Sequence, residues 1–324
     1  MSMPASGAAM IETHGLRHVF KSRRGDVEAV ADVNLRVNQG EIFGFLGPNG
    51  AGKTTTLRML ATLLPPTGGE ARVAGVDLRR NPAGVRERIG YVGQEGGSDP
   101  SVTGRAELIF QGGLHGLPKA ERGRRAQDLI ERLALEECAD RTIGTYSGGQ
   151  KRRLDIGLGL VHEPELLFLD EPTTGLDPQS RARMWDEVRR LRDGGTTVFL
   201  TTHYMEEADV LCDRLAIIDH GRIVVEGTPE DLKRQIAGDI ITVGVSGDVD
   251  ATLALVRVQP FVREASVEEG AIRLYVERGA EAMPVLLREL DAAHIAVTSL
   301  SMASPSLDDV FLRQTGRSLR ETQS

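Results

Sequence analysis

Cysteine is scarce. Cys138 and Cys212 are the only two in 324 residues, far apart and outside any C-x-x-C arrangement. A disulfide framework and a cysteine-built zinc site are thereby disfavoured, and the chain reads as one suited to a reducing compartment. Basic charge is also short: 47 acidic residues against 39 basic ones leave a net charge of −8. That balance argues against a protein-wide polyanion-binding surface and against nucleic acid as a main partner, while leaving room for a local phosphate site. Long apolar runs are missing too. No window approaches the roughly 18 apolar residues of a membrane-spanning helix, and residues 1–10 show no basic stretch followed by an apolar core, so no secretion signal is read. If the protein works at a membrane, other chains supply the spans.

What is present is size and one organising stretch. A chain of 324 residues is long for one domain and comfortable for a large and a small one, each with its own core. Gly47, Pro48, Asn49, Gly50, Ala51, Gly52, Lys53 and Thr54 follow a strand-like run at 41–46 and precede a helix-like run at 54–64, with Thr55 next in line. This is the context that the G-x-x-x-x-G-K-[ST] pattern requires. Glycines let the backbone N–H groups arc inward, and the helix that starts there adds the positive end of its dipole, which together make a phosphate cradle. Lys53 is placed to reach β and γ phosphates, and the Thr54 hydroxyl to bind a bridging magnesium ion.

The rest of the chain supplies further candidates. Residues 11–20 and 28–37 alternate as strands of an antiparallel flap, with Phe20 at the end of the first. Phe20 is either an ordinary edge aromatic or a platform for an adenine ring, a stacking worth about 1 to 3 kcal/mol. Pro65 and Pro66 end the loop helix, residues 70–78 read as a strand or ribbon, and 89–94 as a buried strand that delivers Gln94 at its end. Gln94 is a plain polar strand end or a ligand for magnesium and the attacking water. From 96 to 145 the sequence turns charged and helix-favouring, notably at 119–135, where Leu129, Ile130, Leu133 and Leu135 form an inner stripe. The charges of Glu121, Arg124 and Arg125 read as a solvated face. Tyr146, Ser147, Gly148, Gly149 and Gln150 open a helix, either as a second anion site or as a flexible turn and cap. Lys151, Arg152 and Arg153 read as solvated side chains on its first turn.

The apolar run 166–169 ends in Asp170 and Glu171. Two adjacent carboxylates at a buried strand end are costly unless a cation or a proton-transfer role compensates them. Asp170 therefore reads as a magnesium holder and Glu171 as the base for the attacking water. Asp177 precedes Pro178 and competes as a helix N-cap. His203 follows a β-branched strand at 196–201 and is placed to sense a γ phosphate; the other histidines read as structural or solvated.

The ordered set resembles the nucleotide-binding domain of ABC transporters. Residues 47–54 match Walker A, Gln94 the Q-loop, 146–150 the LSGGQ signature with Tyr146 for its leucine, and 166–170 Walker B. Glu171 matches the catalytic glutamate, 175–177 the D-loop, His203 the switch histidine and Phe20 the adenine-stacking aromatic. The resemblance implies an α/β fold, a P-loop NTPase ABC cassette with a mixed sheet core, antiparallel β flap and inserted helical subdomain at about 96–160. It also implies ATP and Mg2+ as ligands, with catalysis by Glu171, His203, Gln94 and Lys53, and magnesium held by Thr54, Gln94 and Asp170. Two cassettes would pair head to tail as a homodimer, or as a heterodimer with a sister cassette. Each ATP would then lie between Walker A of one copy and Ser147, Gly148, Gly149 and Gln150 of the other, near Asp177.

Domains are expected at 11–237 and 238–324 after a tail at 1–10. Residues 239–302 read strand-helix-strand-strand-helix-strand, an α+β ferredoxin-like accessory domain. The tail at 306–316 resembles that of the daunorubicin/doxorubicin-resistance type of ATP-binding subunit. That likeness implies an ATP-hydrolysing exporter subunit, peripheral on the cytoplasmic face of the cell membrane, working with an integral membrane permease and no nucleic acid. A soluble ABC ATPase acting on DNA or ribosomes, an exporter of lipid or polysaccharide, and a P-loop kinase are the alternatives. The kinase leaves the signature and His203 without a purpose.

Overall fold

The computed structural model describes residues 8–316 apart from 24, 237 and 269; most of the expected tail at 1–10 lies outside the described residues. The first strands, β1 (Ala9–Phe20) and β2 (Val27–Asn38), pair antiparallel along their length and alternate between buried and exposed side chains. β3 (Ile42–Leu46) is buried at every residue, as a strand covered on both faces must be. It feeds the Gly-rich loop and α1 (Lys53–Leu60). A hairpin of β4 (Gly68–Val73) and β5 (Val76–Asp77) follows, then α2 (Pro82–Arg86) and β6 (Ile89–Val92). The helical insert comprises α3 (Gly104–Leu114), α4 (Lys119–Arg132) and α5 (Gly148–Leu160). Alternation then resumes with β7 (Leu166–Asp170), α6 (Pro178–Asp193), β8 (Thr197–Thr202), α7 (Met205–Leu211), β9 (Arg214–Asp219), β10 (Arg222–Gly227) and α8 (Pro229–Arg234).

The strands of this first unit join in the order β5-β4-β1-β2-β10-β9-β3-β8-β7-β6. β9, β3, β8, β7 and β6 run parallel, whereas β1, β2, β4 and β5 form an antiparallel wing. β10, antiparallel to β9, joins the two parts, its Arg222 pairing with Asp32 of β2. Phe43, Phe45, Phe168 and Phe199 lie on three adjacent strands, and Phe199 meets each of the others with ring centroids 5.7 Å apart. Such aromatic contacts add about 0.5 to 1.5 kcal/mol each beyond area burial and hold the strand ends that carry the site in fixed register.

Several boundaries differ from the sequence expectation. α1 stops at Leu60 instead of running to residue 64, because Thr62 turns left-handed at φ 62° and Leu63 and Leu64 both donate back to the Arg58 carbonyl. The ribbon at 70–78 is a hairpin about Ala74 and Gly75, both at positive φ. β6 ends at Val92, which leaves Gln94 on a loop. The insert holds a separate helix, α3, whose Gly112 and Gly113 weaken its helical signature. Arg125 is not simply solvated: it donates to the carbonyls of Leu160 and Val161 and pairs with Glu163.

A second compact unit begins at Glu230 and so takes in all of α8 but its first residue. It contains β11 (Asp239–Ser246), α9 (Val249–Arg257), β12 (Val262–Glu268), β13 (Ala271–Val276), α10 (Gly279–Ala292), β14 (Ala296–Ala303) and α11 (Leu307–Thr315). The sheet order β12-β13-β11-β14 is wholly antiparallel, with helices after its first and third strands, the ferredoxin-like arrangement. Ile241, Val243, Ile272 and Leu274 pack with Val256, Leu286 and Leu290 in its core. Ser306 and Asp309 cap α11 reciprocally, and Leu307, Val310 and Phe311 are buried.

Candidate functional site

The carboxyl ends of β3, β6, β7 and β8 lie side by side, the edge at which open parallel sheets bind ligands. The loop after β3 wraps back on itself at Gly52, which sits at φ 102° with its α-carbon so near the Ala29 carbonyl that a Cβ would come within 2.4 Å of it. Only glycine fits there. Lys53 is 4% exposed and donates to the carbonyls of Gly47 at 2.8 Å and Pro48 at 3.0 Å.

From β7 come the two carboxylates. Asp170, 1% exposed, accepts from the Thr54 hydroxyl at 3.0 Å and from the Thr201 hydroxyl at 2.6 Å. Glu171 sits in the left-handed region at φ 45°, a cost of about 1 kcal/mol or more for a residue with a side chain. Its side chain is the meeting point of the site. Lys53 Nζ lies 3.5 Å from Oε1, while the Gln94 amide at 3.3 Å and the Thr174 hydroxyl at 3.2 Å donate to Oε2. His203 Nδ1 stands 3.3 Å from the same oxygen, off the line of a hydrogen bond.

The electrostatics follow from that packing. Burial pushes the Glu171 carboxyl up, but His203, Lys53 and Thr174 more than offset it and the net displacement is downward. Burial draws the Lys53 ammonium below the usual lysine value, against the opposing pull of Glu171 and Asp170. The pair therefore keeps an ionised carboxylate at neutral pH in a largely enclosed place. This is the protonation state a proton acceptor requires.

Six sequence-singled residues thus converge: Lys53, Thr54, Gln94, Asp170, Glu171 and His203. The others stand elsewhere. Ser147 caps α5, accepting from the Gln150 N–H, while the Gln150 side chain accepts from the Ser147 N–H, so both residues serve a capping box. Their neighbours are Ser180, Arg183 and Met184 of α6. Among the described residues no hydrogen bond links Ser147–Gln150 to Lys53, Asp170 or Glu171. Asp177 caps α6, accepting from the N–H and hydroxyl of Ser180. Phe20 is 44% exposed, its ring edge-on to His18 with centroids 4.4 Å apart.

Two residues escaped the sequence reading. Thr201 is fully buried, and besides holding Asp170 it accepts from the Glu171 N–H at 3.1 Å. Arg152, expected in solvent, is 7% exposed and donates to the carbonyls of Gly93, Asp170 and Pro172; Arg153 likewise donates to Leu133 and Ala134. The available signal for Arg152 was its place on the helical face shared with Asp155, Ile156 and Gly159, all of them buried.

Comparison with known proteins matches residues 30–174 to the ABC transporter family and residues 227–315 to the family "ATP-binding protein DrrA1-3-like, C-terminal domain". The daunorubicin/doxorubicin resistance ATP-binding protein DrrA of Streptomyces peucetius is 44% identical over 94% of this chain and 92% of its own length. The linearmycin resistance ATP-binding protein LnrL of Bacillus subtilis (strain 168) is 40% identical over 93% of this chain and 98% of its own. Among solved structures, the ATP-binding cassette MJ0796, in a dimeric post-hydrolysis state with ADP and Pi, aligns with a TM-score of 0.63. It is 25% identical and covers 68% of this chain and 98% of that one.

Proposed function

The chain belongs to the ATP-binding proteins of ABC transporters, as an ATPase coupled to transport, and from that membership we propose that it drives export of a hydrophobic drug or antibiotic through a separate membrane permease. One observation carries the catalytic part: drawn from four strand ends, Lys53, Gln94 and His203 meet around the Glu171 carboxylate, while Thr54 meets the adjacent Asp170 carboxylate. The cargo class rests on the resistance proteins named above. The permease would hold the chain at the cytoplasmic face of the membrane; among the described residues no helix is long and apolar enough to cross one.

In the proposed reaction the loop N–H groups and Lys53 bind the β and γ phosphates of ATP, and Phe20 stacks on the adenine. Glu171 accepts a proton from water as the water oxygen bonds to the γ phosphorus and the bond to the bridging oxygen of ADP breaks. Gln94 orients that water and His203 donates to a γ-phosphate oxygen. The donors fit magnesium: the Thr54 hydroxyl and Asp170 carboxylate, 3.0 Å apart, are hard oxygens in a partial set that leaves positions for phosphate and water. Thr54 and Asp170, with Gln94, would hold the ion, which when bound neutralises phosphate charge.

The outward-facing turn of Ser147, Gly148 and Gly149 would complete the γ-phosphate site of a second copy, with Gln150 and Asp177 beside it. The functional form is then a head-to-tail dimer glued by ATP. A groove of about 360 Å³ lined in part by Tyr91, Gly93, Glu107, Gln111 and His115, beside the exposed Phe110 and Leu114 of α3, would receive the permease. The test is phosphate release by the purified chain with magnesium and ATP. Glu171→Gln should bind a fluorescent ATP analogue as the parent does and lose about 100-fold or more of turnover; hydrolysis at the parent rate would remove Glu171 as the base.

A further inference from the structure

Arg152 is not needed to explain nucleotide binding, yet its surroundings are unusual for a helical arginine. Its guanidinium donates to the Gly93 carbonyl at 2.5 Å, the Asp170 carbonyl at 3.0 Å and the Pro172 carbonyl at 2.9 Å. The first of these precedes Gln94, and the other two lie on either side of Glu171. One rigid, planar fork therefore holds the backbone just before the water-orienting residue and on both sides of the base. Glu171 is also where the backbone is held at φ 45°. A conformation of that cost persists only when its surroundings over-determine it, and a donor bonded to the carbonyls before and after the strained residue does so.

The opposite end of the Gln94 loop meets the same helix. Asp155 stands one turn beyond Arg152, and its carboxylate lies so close to Gly96 that a Cβ there would come within 2.5 Å of Oδ2. Gly96 is at φ 73°, so the loop passes α5 at a point where no side chain fits. Arg152 thus bonds one half of the loop to α5, the helix whose first residues carry the Ser147 turn, and the other half packs closely on Asp155.

We propose that Arg152 is a positioning residue that locks α5, the Gln94 loop and the Glu171 backbone into one body, so that engagement of the Ser147 turn by a second copy's nucleotide sets the base and the water-orienting amide together. This rests on the ATPase reading above and adds to it the physical tie between the signature helix and the reacting end of the site. Arg152 touches neither substrate nor reacting atoms. Its loss should displace the base while leaving the Lys53 loop as it is.

The experiment compares the full-length parent with Arg152→Gln and Arg152→Lys, measuring kcat, KM for ATP, and amide hydrogen exchange at residues 95–98. A misplacement of about 1 Å at a reacting group costs up to about 100-fold. Arg152→Gln should therefore lower kcat by roughly 10- to 100-fold with KM within about threefold of the parent, and the 95–98 amides should exchange roughly tenfold faster. Arg152→Lys, which keeps the charge but reaches fewer carbonyls, should fall between. Parent kcat in Arg152→Gln, a loss of kcat matched by an equal loss of ATP affinity, or failure of both variants to fold would each overturn the positioning role. A parent without ATPase activity would sink the reading beneath it instead, and the 95–98 exchange rates would still decide whether Arg152 holds the loop.

Discussion

Replacing Thr201 by valine keeps the β-branch and nearly the volume of a fully buried residue, and deletes one hydroxyl. That hydroxyl donates to Asp170 Oδ1 at 2.6 Å and accepts from the Glu171 N–H at 3.1 Å. The Glu171 N–H keeps a second partner, the Thr201 carbonyl at 3.1 Å, so it is not orphaned. Asp170 fares worse, because at 1% exposure it retains only the Thr54 hydroxyl as a side-chain donor. Loss of a hydrogen bond to a buried charge costs about 1.5 to 3 kcal/mol. At about 2 to 4 °C per kcal/mol for a unit of this size, the transition of the first unit should fall by roughly 3 to 12 °C. ATP turnover should drop about tenfold or more, with partial recovery at raised magnesium, since the loosened carboxylate is the proposed ligand. Thermal unfolding and phosphate release across a magnesium titration measure both. A Thr201→Val protein that melts with the parent and turns over at its rate would refute the reasoning.

Other consequences can be checked separately. His162 donates through Nε2 to the Ile89 carbonyl at 2.9 Å and stacks on His115 at 3.8 Å, and burial, His115 and Arg125 lower its pKa to about 4. Below pH 6.5 the unfolded chain binds the extra proton first, so this residue's share of stability should fall as pH drops from 6.5 to 4 and level off below. With the partial exposure of the ring discounted, that share is about 1 to 2 kcal/mol, and His162→Gln should flatten it in urea titrations; an unchanged pH profile would contradict the assignment. In the second unit, Ser306→Ala removes one half of a capping box and should lower that unit's stability by about 1 kcal/mol, read by denaturant unfolding, with no change in nucleotide binding.

The sequence announces the site's parts better than their arrangement. A buried apolar strand, a Gly-rich loop and a helix lie within some twenty residues, so their local signals reinforce one another and Lys53 and Thr54 are found where the pattern puts them. Asp170 and Glu171 are legible for a similar reason, as charges closing an apolar run. Thr201 was not, because its importance comes from lying opposite Asp170 in the β7–β8 register, a pairing of strands 31 residues apart. Arg152 was missed because a basic triplet on a first helical turn ordinarily faces water. Here three backbone carbonyls, at Gly93, Asp170 and Pro172 around the ends of β6 and β7, compensate its burial, and backbone acceptors leave no trace in side-chain patterns. α3 was obscured by its glycine pair, whereas the ferredoxin-like unit was read in order because β-branched runs alternate along the chain with helix-favouring stretches, as at β11, α9, β13 and α10.

In the proposed dimer ATP joins two copies through unlike surfaces. Light-scattering mass of Glu171→Gln in magnesium with ATP, with ADP, and after a second change of Ser147→Arg addresses that claim most directly. Twice the chain mass in ATP, a single chain in ADP, and a single chain in both for the doubly substituted protein is the expected pattern. A mass indifferent to the nucleotide, or a dimer untouched by the arginine at position 147, would contradict it.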